Sequence, residues 1–200
     1  IVVADEIYDG LDFTGEHVSV ASRSDDVPVV ALNGVSKVYY APGWRIGYMA
    51  LHDPTNRMGL VRDGLERLLR SRLCASTPAQ VGYLAGLEQD RGWMETYSER
   101  VLRRRDHCLK RIAQIDGLEV EQPGGAFYMF VRLTDERWAN DDKAFVLQLL
   151  HEEHVLLVHG SGFSPQLGKG HVRLVYLVTL EVLDEVFDRI ERFLKKHRGH

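Results

Sequence analysis

Cysteine is scarce in these 200 residues: only Cys74 and Cys108 occur, with neither the paired spacing of a zinc site nor the framework of a disulfide scaffold. Such usage fits a reducing cytosol and predicts no metal centre. Long apolar runs are also missing. None reaches the roughly 18 residues needed to cross a bilayer, and the first residues have no signal-peptide layout, so no membrane partner is expected. Charge of one sign is not concentrated either: 25 Lys and Arg against 29 Asp and Glu leave a formal net charge of −4. The charges are interspersed rather than blocked, which argues against nucleic acid or an anionic surface as the main partner. Repeats and low-complexity segments are absent. What is present is 44 % apolar and 27 % charged residues, the composition of an ordinary soluble globular chain long enough to bury a core. Small-molecule chemistry is the expectation.

Two short continuous apolar runs, Ile1 to Ala4 and Val29 to Leu32, lack the polar alternation of half-solvated strands and predict parallel strands covered by helices. The first begins at residue 1 without an initiator Met, so a missing upstream segment is expected. Arg45 to Leu51 reads as a further strand. His52-Asp53-Pro54 then supplies a cap and a first-turn proline, predicting a helix whose Met58, Val61, Leu65, Leu68 and Leu69 form a buried face. Thr77-Pro78 starts a second helix ending near Gly92. Trp93 to Ile115 is a long helix, and its Arg100, Arg103, Arg104, Arg105, Lys110 and Arg111 are read as a solvated face. Short strands follow at 118–121 and 126–131, then a helix at 142–154, a strand at 155–158, a Gly/Ser-rich loop to Gly170, a strand at 172–177 and a strongly amphipathic last helix. The fold class is therefore α/β, with a partial, mostly parallel sheet in residues 1–92, a connecting helix over 93–115 and a smaller α+β domain over 116–200.

Chemistry-bearing residues gather where strands end. Asp5-Glu6-Ile7-Tyr8 follows the first strand, and Asn33-Gly34-Val35-Ser36-Lys37 follows the second, with Gly43-Trp44-Arg45 eight residues beyond the lysine. Ligands of open α/β sheets bind outside the carboxyl ends of strands. Arg173, in an otherwise apolar strand, is a second anchor, because a buried guanidinium without an anion is costly.

In this order, the Asp-x-x-Tyr, Ser-Lys, Gly-Trp-Arg and final Gly170-His171-Val172-Arg173-Leu174 elements resemble class I/II aminotransferases, the fold type I pyridoxal-phosphate enzymes, over essentially the whole chain. The form Asn-Gly-x-Ser-Lys-x-Tyr-x-x-x-Gly-Trp-Arg is similar, more narrowly, to alanine and aspartate aminotransferases. The resemblance implies the C-terminal part of such a fold, with Lys37 forming the Schiff base with pyridoxal 5'-phosphate. Asp5 would face the cofactor's ring nitrogen, Tyr8 its phenolic oxygen and Arg45 its phosphate; Ser36 stands beside the lysine, as in the family. Arg173 matches the arginine for the substrate carboxylate. Pro123 to Tyr128 resembles the family's small-domain segment that opens a strand, with a turn and core aromatics as the expected role of most of its residues, and His159 to Phe163 matches the loop before the carboxylate-binding strand, read as lining without catalytic duty.

One departure is Gly34, where many relatives carry a hydroxyl residue that helps hold the phosphate. The resemblance further implies an amino acid and a 2-oxo acid as substrates, a homodimer, a cytoplasmic location and an N-terminal half not found in these residues. Without that half the chain alone is expected to be inactive. Competing readings are a carbon–sulfur lyase or other enzyme of the same fold, the effector domain of a transcription regulator, and a folded noncatalytic domain.

Overall fold

The computed structural model describes residues 1–15, 17–90 and 92–198. They divide into two compact units, Ile1–Glu95 and Thr96–His200.

In the first unit, β1 (Val2–Asp5) and β2 (Val29–Gly34) run parallel, with Asp5 beside Leu32. The apolar runs thus pair as their composition requires. β3 (Gly47–His52) closes the three-stranded sheet as an antiparallel edge on β2, a common border for a parallel sheet. Val29, Val30 and Ala31 of the central strand are buried.

Two expectations for the next segment need correction. The helix α1 spans Gly59–Arg72 rather than starting at Pro54. The Asp53 carboxylate instead closes a turn, accepting from the backbone N–H groups of Arg57 (2.9 Å) and Met58 (2.8 Å). Of the apolar stripe only Met58 is buried, while Leu68 and Leu69 are 69 % and 64 % exposed. Periodicity identified a helix, but burial depends on what packs against it. The second helix, α2 (Thr77–Glu88), begins at its proline as the sequence predicts.

A long helix α3 (Gly92–Ile112) leads into the second unit. There β4 (Leu118–Val120), β5 (Tyr128–Leu133), β6 (Val158–His159) and β7 (His171–Val175) form an antiparallel sheet of order β4-β5-β7-β6. Leu118, Met129, Val131, Leu133, Val172 and Leu174 are its buried members. They share one core with Phe145 and Leu149 of α5 (Asp142–Glu153) and with Leu183, Phe187, Ile190 and Phe193 of α6 (Leu180–His197). A short helix α4 (Glu136–Asn140), which the sequence reading missed, buries Trp138. The strand expected at 155–158 shrinks to Val158–His159, although Val155 and Leu157 are buried.

The arginines of α3 are not a uniformly solvated face. Arg105 is buried and donates to Asp106 and to the carbonyl of Pro123; Arg104 donates to the carbonyl of Leu177, and Arg111 to Asp184 and Asp188. Their charges are spent on holding α3 to its neighbours in this unit.

Candidate active site

Because β1 and β2 are parallel, the chain leaves both at the same edge of the sheet. Asp5 ends β1, and Glu6 to Asp9 turn away from it. The three acids of this segment have different duties. Glu6 accepts from the Ser19 hydroxyl (3.0 Å) and the Val20 amide (2.9 Å), fixing the excursion that follows. Asp9 accepts from the Asn33 side chain at 2.9 Å, tying the turn to the end of β2. Among the described residues Asp5 accepts only a local bond, from the Ile7 amide at 3.3 Å, and its side chain is exposed.

Lys37 and Tyr8 are brought together across this edge, with Nζ of the lysine 5.7 Å from the centroid of the tyrosine ring. Ser36 lies next to Lys37, half-buried like it. The following loop is braced from behind. Gly82 and Gly86 lie four apart and so on one face of α2; a Cβ at Gly82 would fall 2.7 Å from the ring of Trp44, and one at Gly86 3.1 Å from that of Tyr39. Bare helix surface therefore receives two rings of the Lys37–Arg45 segment. Tyr39 also meets the rings of Tyr83 and Trp93 at 5.4 and 5.6 Å. Arg45 emerges from this bracing with a left-handed backbone (φ 54°) and an exposed side chain; its Nη1 donates to the Pro42 carbonyl at 2.8 Å. A non-glycine residue held in this region carries strain of order 1 kcal/mol, a mark of functional segments.

Gly34 has a steric reason. It pairs with Gly47 across β2 and β3, and a Cβ would meet the carbonyl oxygen of Ile46 at 2.7 Å and Cα of Gly47 at 2.9 Å. The strands are too close for a hydroxyl residue here. A cavity of about 450 Å³ opens nearby, lined by Asp9, Asn33, Gly34, Tyr39, Tyr48 and Tyr83 among others, but Asp5, Tyr8, Lys37 and Arg45 are not in its wall.

In the second unit Arg173 sits in β7 opposite Phe130 of β5 and Val158 of β6. It shares its face with His171 and Val175, not with the buried Val172 and Leu174. Its guanidinium carbon is 4.7 Å from the ring centroids of both Tyr128 and Phe163. Among the described residues the buried Nε of Arg173 has no hydrogen-bond partner and no carboxylate pairs with the guanidinium. An orphaned buried N–H costs about 1–3 kcal/mol. The loop bearing Phe163 is pinned by Asp142, 3 % exposed at the start of α5, which accepts from the Ser161 amide at 2.7 Å.

Sequence reasoning assigned no role to Glu6, Asp9 or Asp142 and no contact of Tyr128 and Phe163 with Arg173; the Gly82-x-x-x-Gly86 spacing on α2 was a visible signal that it did not use. Cys108 is no alternative nucleophile, since burial pushes its thiol up to about 12. Among the described residues no group of His, Cys, Asp and Glu has the makings of a metal site, and no helix is long and apolar enough to cross a membrane.

The fold is that of the fold type I aminotransferases, on whose solved structures the chain superposes. The chain belongs to the family aminotransferase class I and II, which it matches over residues 1–190. It is 35 % identical over 206 residues to the glutamate-pyruvate aminotransferase AlaA of Haemophilus influenzae, covering 99 % of this chain and 50 % of that protein. It is 33 % identical to an alanine aminotransferase of Mycobacterium bovis, covering 99 % and 47 %. The alanine aminotransferase structure from Pyrococcus furiosus superposes with a TM-score of 0.93 at 46 % identity, covering 98 % of this chain and 49 % of that one. The chain thus spans about half the length of these relatives.

Proposed function

We propose that this chain carries the lysine-bearing part of a pyridoxal-phosphate-dependent amino-acid aminotransferase, which moves an amino group between an amino acid, alanine or aspartate first, and a 2-oxo acid. The observation that carries the reading is the meeting of Lys37 with Tyr8 at the shared carboxyl edge of β1 and β2. The donor set fits the cofactor: an amine, a phenol, a carboxylate without structural duty and an arginine on a braced loop. Gly34 gives it no hydroxyl, so phosphate binding rests more on Arg45, with a lesser contact from Ser36.

When bound, the cofactor supplies an electron sink for the bond broken at the substrate α-carbon. Asp5 would stabilise a proton on the ring nitrogen by its opposite charge, and the Tyr8 hydroxyl would donate to the phenolic oxygen. Lys37 would hold the cofactor covalently and, once released, would carry a proton between the substrate α-carbon and the cofactor carbonyl carbon. Arg45 would grip phosphate oxygens with its planar fork, and Arg173 would do the same for the substrate carboxylate. In functional terms residues 1–92 carry the cofactor contacts, 93–115 connect, and 116–200 carry the carboxylate contact. A cytosolic homodimer belongs to the same reading, which the exposed thiol of Cys74 supports for the compartment.

Because the relatives are about twice as long, we expect these 200 residues alone to turn over no substrate. The test therefore reads attachment. The chain is treated with pyridoxal phosphate, reduced with borohydride, and mapped by peptide mass. Preferential label at Lys37, lost in Lys37→Ala, supports the reading; label spread evenly over the lysines sinks it.

A further inference from the structure

Arg173 is the cation on which the carboxylate reading depends, and its surroundings show how such a cation is kept in place without an acid. Tyr128 reaches it from the neighbouring strand β5, and Phe163 from the loop between β6 and β7; both ring centroids lie 4.7 Å from the guanidinium carbon. Aromatic rings attract a guanidinium through their negative faces, yet they accept no proton and neutralise no charge. A carboxylate in the same place would hold the arginine equally well but would compete with an anionic ligand. Phe163 is itself located, since its ring meets that of Phe130 edge-on at 6.2 Å, and Phe130 in turn stacks on His171 at 4.9 Å. The Nε–H of Arg173 is covered in this arrangement and has no partner among the described residues, so a carboxylate would meet the guanidinium through its outer nitrogens.

We propose that Tyr128 and Phe163 are positioning residues that hold the Arg173 guanidinium by ring contact and leave its charge available to a ligand carboxylate. The proposal rests on the carboxylate role of Arg173 given above, and extends it to two residues whose segments the sequence reads only as a turn with core aromatics and as a lining loop. It assigns them a duty that aliphatic side chains of similar bulk cannot perform.

The experiment is an NMR measurement on the full chain, following the Nε–Hε resonance of Arg173 with and without millimolar pyruvate as the carboxylate probe. Phe163 is 53 % exposed, so Phe163→Leu is expected to keep the fold; Tyr128→Leu is its counterpart on β5. Each is expected to speed solvent exchange of the Arg173 Hε proton at least tenfold and to weaken pyruvate binding by roughly five- to twentyfold, the loss of one desolvated cation–ring contact. Phe163→Tyr and Tyr128→Phe keep a ring and are expected to stay within twofold of wild type. Wild-type exchange in the leucine variants overturns the proposal, as does faster exchange with undiminished pyruvate binding. Arg173→Gln separates the two layers: pyruvate-induced shifts that survive it sink the carboxylate reading, while the exchange data still report on the ring contacts.

Discussion

At the scale of single residues, the candidate site is a division of labour among side chains that look alike in the sequence. Asp5, Glu6 and Asp9 lie within five residues, but two are committed to neighbouring chain segments and one is not. The motif singled out Asp5 and Lys37 because their residue types and order match a known chemistry. Phe163 was not legible, since its meaning depends on a ring–cation contact with a residue ten positions away in another strand. Gly34 shows the same limit. Its departure from many relatives was visible, but the reason, close approach of β2 and β3, was not. A hydroxyl residue there should therefore not be accommodated for free. Gly34→Ser is expected to cost about 1–3 kcal/mol through backbone displacement, read as a lower midpoint in urea denaturation with an unchanged slope.

At the scale of elements, helices serve as braces. In α2 the bare positions Gly82 and Gly86 accept Trp44 and Tyr39, so the helix sacrifices propensity to seat the loop that carries Lys37 and Arg45. Gly82→Ala gains about 1 kcal/mol of intrinsic helix propensity but places a methyl 2.7 Å from the Trp44 ring. The expected outcome is an undiminished α2 with a loosened loop: amide hydrogen exchange should accelerate over residues 37–45 and stay constant or slow over 77–88. Equal protection of the loop in both proteins would show that the contact does not brace it.

In the second unit, α5 and α6 are joined by Glu152, which accepts from Lys196 (2.8 Å), His197 (2.9 Å) and Gln148 (2.7 Å). The Lys196 ammonium, followed by His197 and Gln148, lowers its pKa from 4.5 to about 2. A depressed carboxylate stabilises the fold above its unfolded pKa and loses that contribution as pH falls through the folded value. The melting temperature of wild type should thus exceed that of Glu152→Gln at pH 7, with the gap closing between pH 4.5 and pH 2.

For the whole molecule, the fold class was legible and the distribution of burial was not. Period-two and period-3.6 patterns named the strands and helices, since they record which way side chains point. They do not record what lies opposite. α6 and α1 both carry apolar stripes, yet Leu183, Phe187, Ile190 and Phe193 of α6 are buried whereas no residue of α1 is. The second unit has a sheet with one face closed by α5 and α6. In the first, Val3 is 65 % exposed, Met49 46 %, and Leu60 89 %. These large apolar side chains stay exposed to water in the first unit, and stability follows the surface removed from water at roughly 25 cal/mol per Å². The two units should therefore unfold separately. With increasing denaturant, amides of β1, β2 and β3 should lose hydrogen-exchange protection first, while those of β5, β7 and α6 persist to a higher midpoint. Coincident loss of protection in both sets would mean that the chain is a single cooperative body and that the exposed stripe of α1 carries no energetic penalty.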